Sequence, residues 1–89
     1  MPPDYVLQAR ANFVAWLRWY MAMYPEKAPT EAALARLLGI AKSTLHAIMA
    51  KDSQSCPSFE TLLTAAKVLD TPVAALLRES PKIPQIPQK

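Results

Sequence analysis

The chain has one glycine, one cysteine and one histidine in 89 residues, and each scarcity closes off a class of chemistry. A single glycine, Gly39, cannot build the glycine-rich loop that cradles phosphates. His46 and Cys56 fall in different segments, and no group of carboxylates accompanies the histidine, so no catalytic constellation of the usual kinds can be assembled. The expectation is a protein that is not an enzyme and carries neither metal nor cofactor. A lone cysteine can form no disulfide within the chain, and Cys56, in a polar stretch, reads as a thiol of a reducing compartment. No uncharged segment is long enough to span a membrane, and the first residues lack a basic lead into a short apolar run with a cleavage site. A soluble, cytoplasmic protein is expected.

What the sequence does have is helical periodicity. Residues 31–51, EAALARLLGIAKSTLHAIMAK, form two short amphipathic segments on either side of Gly39. Leu34, Leu38, Ile40, Leu45 and Ile48 recur at helical spacing and fall on facing stripes, as two helices sharing one small core require. Ala35 stands where the helices cross closest, and a larger side chain there would overpack the contact, typically at about 1–3 kcal/mol. Gly39 supplies the turn, because a residue ending a helix in the left-handed region carries a steric penalty unless it is glycine. Thr30, following Pro29, is placed to cap the first helix. The pattern predicts a helix-turn-helix that reads DNA, with residues 42–50 as the helix entering the major groove.

Charge points to the same segment. The net +3 is not spread along the chain. Over residues 1–35, Arg10, Arg18 and Lys27 balance Asp4, Glu26 and Glu31; over 52–89, Lys67, Arg78, Lys82 and Lys89 balance Asp52, Glu60, Asp70 and Glu79. The whole excess lies in Arg36, Lys42 and Lys51, beside His46 and with no acid among residues 36–51. That is the electrostatic footprint of a surface facing phosphates. Resolved at about 100° per residue, the second hairpin helix turns Leu45 and Ile48 inward. Lys42, Ser43, His46, Ala47 and Ala50 fall on the opposite side, flanked by Thr44 and Met49. Lys42 can donate to guanine O6 or N7, Ser43 can donate or accept, His46 can donate to a base or phosphate, and the two alanines allow close contact with a thymine methyl.

Residues 30–77 resemble the lambda repressor-like, Xre/Cro-type helix-turn-helix family of bacterial and phage regulators. Beyond the hairpin, the resemblance is carried by PSFETLL at 57–63, by Ala66, Lys67 and Leu69, and by residues 72–77, which are similar to the family's fourth and fifth helices. It implies an all-α, compact five-helix globule that binds double-stranded DNA at palindromic operators as a homodimer. Transcription would be controlled without catalysis, by a repressor or controller of a phage, plasmid or mobile-element promoter. Base reading carries over to Lys42, Ser43, His46 and Ala47. Phosphate contact carries over to Thr44, the first turn of the first hairpin helix and the neighbourhood of Lys51, and the localised charge adds Arg36. The chain departs from the family where Glu31 replaces a frequent glutamine, Ala41 a frequent serine or threonine, and Met49 and Lys51 a frequent glutamate and glycine. A carboxylate at position 31 repels a phosphate, and alanine at 41 forgoes an N-cap oxygen that typically contributes about 1 kcal/mol.

At 89 residues and 52% hydrophobic the chain can build one core, so residues 1–79 are expected to form a single domain. Asp4 is expected to cap a long first helix over about residues 5–24. Val6, Phe13, Trp16, Leu17, Tyr20, Met23 and Tyr24 make its broad core stripe. Leu7, Val14 and Met21 repeat every seven residues on another face, with Trp19 elsewhere on the surface. They read either as cover for the later helices or as a dimer or partner surface. Residues 51–57, KDSQSCP, read as a loop, and Ser58 as the cap of a helix whose Phe59, Leu62, Leu63, Ala66 and Leu69 form its apolar pattern. Pro72 suits the first position of the last helix. Proline at every third place in PKIPQIPQK makes residues 80–89 an extended tail, open to disorder or to docking through Ile83 and Ile86 on a partner or sister subunit. An alternative function follows from the greasy first helix and the tail: an antitoxin or adaptor-type interaction module in which DNA binding is secondary.

Overall fold

Helix ends set this architecture as much as helix interiors do. The computed structural model describes residues 4–50 and 55–81, and among these it contains five helices and no strand. They are α1 (Asp4–Met23), α2 (Glu31–Leu38), α3 (Lys42–Met49), α4 (Phe59–Leu69) and α5 (Val73–Arg78). Thr30 caps α2 as expected, its side chain accepting from the Ala33 N–H at 3.1 Å. Gly39 closes it at φ 72°, with its own N–H on the Arg36 carbonyl and the Ile40 N–H on the Ala35 carbonyl. These two bonds form a Schellman ending, which satisfies carbonyls the helix itself leaves open. The chain then bends by 108° into α3, within the range of about 90–120° typical of a helix-turn-helix.

α4 uses the same pair of bonds without a glycine. Ser58 caps its start, accepting from the Thr61 N–H at 3.1 Å. At its end Asp70 adopts φ 54°, with Asp70 N–H on the Lys67 carbonyl and Thr71 N–H on the Ala66 carbonyl. Aspartate is among the few side chains that enter this region at modest cost.

The core is drawn from all five helices. Phe13, Leu17, Leu34, Leu45 and Leu76 are its largest fully buried side chains, joined by Ala35, Leu38, Ile48, Met49, Ala65 and Leu69, and by Ala28 from the turn after α1. Ala35 is buried in the core, and Ile40 is half-buried against it. α1 packs chiefly on α5, α2 on α3 and α4, and α4 on α5.

Several positions differ from the sequence reading, each for a packing reason. Asp4 is the first residue of α1, where its carboxylate complements the positive helix end, instead of a cap preceding it. The buried stripe of α1 is narrower than its apolar content: Phe13, Leu17 and Tyr20 are buried, whereas Met23 and Tyr24 are exposed because the helix outruns the core. Tyr24 instead stacks on Tyr20 at 4.9 Å and lies under the Lys27 ammonium at 5.4 Å. Trp19 is half-buried and packed on the core, edge-on to Trp16 at 5.6 Å; its indole N–H is buried with no acceptor among the described residues. In α4 the inward face is Thr61, Ala65 and Leu69, and Phe59 and Leu63 are exposed. Two small residues let neighbouring helices approach, and Thr61 can be buried because its hydroxyl shares a 3.0 Å hydrogen bond with Ser58. α3 ends at Met49, which is buried, leaving Ala50 beyond the helix, and Pro72 caps α5 from just outside it.

α1 also supplies polar contacts that position the hairpin. The Arg10 guanidinium donates to the carbonyls of Ile48, Ala50 and Ser55, and that of Arg18 to the Met49 carbonyl at 3.2 Å. Two cations thus sit at the negative end of α3. Asn12, itself buried, donates to the Leu77 carbonyl at 2.9 Å, and the Trp16 indole N–H reaches the carbonyls of Ala75 and Glu79. No single described helix is long and apolar enough to cross a membrane. The readings of residues 51–54 and 82–89, with Lys51, Ile83 and Ile86 among them, lie outside the described residues.

Two stability changes follow. Arg10→Ala should destabilise the fold by about 1–3 kcal/mol, since bonds from a charged donor to several carbonyls are lost together. Arg10→Lys should recover only part of that loss, lacking the planar fork. Urea unfolding midpoints equal to wild type for Arg10→Ala would show that the guanidinium does not hold α3. Conversely, Ala41→Ser should stabilise by about 1 kcal/mol, because Ala41 sits at φ −69°, ψ 148° before α3 with no side-chain cap. A midpoint that fails to rise would mean that the first turn of α3 is already satisfied.

Candidate nucleic-acid interface

Once Leu45, Ile48 and Met49 are committed to the core, the opposite side of α3 is fixed by helical geometry. Lys42, Ser43, Thr44 and His46 are exposed, and Ala47 is half-buried beside them. Ala50 is half-buried and no longer helical, so it does not extend the groove-facing row. Arg36, in the last turn of α2, is exposed on the neighbouring element. Three of the four positions expected to read bases are therefore open to a ligand, and the fourth offers only a small methyl surface. Lys51, the remaining expected phosphate contact, lies outside the described residues.

The local chemistry of α3 favours an anionic partner at its start. Among the described residues no side chain caps the first turn, where Ala41 offers none, and Lys42 stands at the first helical position. The positive end of the helix is thus uncapped and adjoins a cation. At the other end Arg10 and Arg18 take the carbonyls of Ile48, Met49 and Ala50, which fixes the direction of the helix relative to α1. Neither arginine stood out from the sequence as more than a surface charge. The available signal was that both lie on a helix otherwise rich in apolar residues.

One contact on this face was not anticipated at all. Glu31, in the first turn of α2, places its carboxylate Oε1 3.2 Å from His46 Nδ1. The imidazole side chain is 72% exposed and the glutamate 33%, so the pair lies at the surface. Glu31 was expected to oppose phosphate at this point, and the structure directs its charge to the histidine instead.

The second row on α1 is less available than its spacing suggests. Val14, Trp19 and Met21 are half-buried and pack on the core, and Leu7 is half-buried. The most open large apolar side chains are elsewhere, at Tyr5 and Phe59. Among the described residues, no three of His, Cys, Asp and Glu converge as metal ligands would.

Comparison with known proteins agrees with this geometry. Residues 30–76 match a family described as helix-turn-helix, a span that begins at the Thr30 cap, includes α2, α3 and α4, and closes within α5. No curated protein and no solved structure matches the chain. The matched span covers more than half of the sequence and contains the capped α2, the glycine turn and the exposed face of α3. The chain belongs to the lambda repressor/Xre-type helix-turn-helix family.

Proposed function

We propose that this DNA-binding helix-turn-helix protein is a sequence-specific transcription regulator that lays α3 in the major groove of a palindromic operator as a homodimer. The observation that carries this reading is the coincidence, on one face, of exposed Lys42, Ser43 and His46 with the segment holding the chain's entire excess of positive charge. Lys42, Ser43, His46 and Ala47 contact bases, while Arg36, Thr44 and Lys51 contact phosphates. Two copies are required by magnitude as well as by symmetry, since three excess charges per chain give only weak electrostatic attraction to DNA. A regulator of this size acts by occupying a promoter, as a repressor or controller in a phage, plasmid or mobile element, in the cytoplasm at the nucleoid.

A second reading is favoured by Tyr5 and Phe59, which are 76% and 72% exposed, with Leu63 one turn further along the face of α4 that bears Phe59. Apolar side chains so open suit a protein partner, as in an antitoxin or adaptor.

Fluorescence-anisotropy titration against the DNA upstream of the protein's own gene and a scrambled duplex, at two salt concentrations, tests the reading. Tight binding to one duplex with two protomers per site is the expected result. Equal, weak and salt-sensitive binding to both would reject it in favour of a protein partner. On the specific duplex, Lys42→Ala should weaken binding by about 1–3 kcal/mol and relax the preference at one base pair. Unchanged affinity would remove Lys42 from the base contacts.

A further inference from the structure

We propose that Glu31 is a positioning residue that decides which bases His46 reads, an inference that rests on α3 being the recognition helix. A neutral imidazole carries one proton, so one ring nitrogen donates a hydrogen bond and the other accepts. An ionised carboxylate can only accept. With Glu31 Oε1 3.2 Å from His46 Nδ1, the proton of the neutral ring belongs on Nδ1, directed at Glu31. The other nitrogen, Nε2, is then a lone-pair acceptor on a side chain that is 72% exposed, on the face shared with Lys42 and Ser43.

That assignment changes the code. In the major groove, the donors offered to an acceptor are the amino groups of adenine N6 and cytosine N4, whereas guanine O6 and N7, adenine N7 and thymine O4 call for a donor. An unheld histidine can present either tautomer and discriminates poorly. Held by Glu31, His46 selects adenine or cytosine at its position.

Among the described residues Glu31 is the acid that pairs with the ring, while the guanidiniums of Arg10 and Arg18 are occupied by the carbonyls at the end of α3.

Two measurements test this. The ¹⁵N shifts of the imidazole in the free protein at pH 8.5 should report the Nδ1–H tautomer in wild type and a mixture in Glu31→Ala. Binding to all single-base-pair variants of the operator at the same pH should show a preference for adenine or cytosine at one position. There Glu31→Ala should lose at least about fivefold in discrimination, and His46→Ala should lose the preference altogether. A wild-type ring found as the Nε2–H tautomer, or a Glu31→Ala protein of native melting temperature with its base preferences intact, would overturn the inference while leaving operator binding in place. Absence of sequence-specific binding by wild type would overturn both readings together.

Discussion

α1, which contributes none of the expected DNA contacts, holds the candidate interface in place. α3 is only eight residues long, too short to be stable alone in water, so its direction depends on what it is attached to. Its apolar side chains Leu45, Ile48 and Met49 anchor one face in the core. Its C-terminal carbonyls, which no intrahelical donor reaches, are taken by Arg10 and Arg18 of α1. The same helix takes the last carbonyls of α5 through Asn12 and Trp16. α1 is thus a common terminator for two other helices, and the packing of the small core and the aim of α3 cannot change independently.

The remaining helix ends are settled locally. α2 and α4 each begin with a hydroxyl accepting from an N–H three residues on, and each ends with a left-handed residue that donates its N–H back into the last turn. These devices fix where the chain turns, and the turn at Gly39 sets the 108° bend between α2 and α3. α3 departs from this pattern at its start, where Ala41 provides no side-chain acceptor. Its positive end is consequently left open on the side where the localised charge lies. A stability device is missing beside Lys42, at the edge of the candidate interface, a common relation between stability and binding sites.

Much of this is legible in the sequence. Thr30, Gly39 and Ser58 announced their roles because capping and turn chemistry act within a few residues of chain. The hairpin core at Leu34, Leu38, Leu45 and Ile48 was legible because two short helices across a tight turn leave few ways to bury their stripes. The charge between Arg36 and Lys51 was legible because charge is additive along a sequence, and so was the outward face of Lys42, Ser43 and His46, once Leu45 and Ile48 were assigned inward.

What the sequence could not decide was the choice among redundant apolar positions and the destinations of long polar side chains. α4 offers two overlapping stripes, and only the proximity of α2 and α5 selects Thr61, Ala65 and Leu69 over Phe59 and Leu63. α1 carries more apolar surface than one face can bury, so the size of the core leaves Met23 and Tyr24 outside. Arg10 and Ser55 are 45 residues apart, Asn12 and Leu77 65, and Glu31 and His46 15. No periodicity or capping rule extends over such separations. Local sequence therefore determined the elements, the hairpin and the position of its charge, while the tertiary structure decided which polar groups meet, because those meetings depend on where whole helices come to rest.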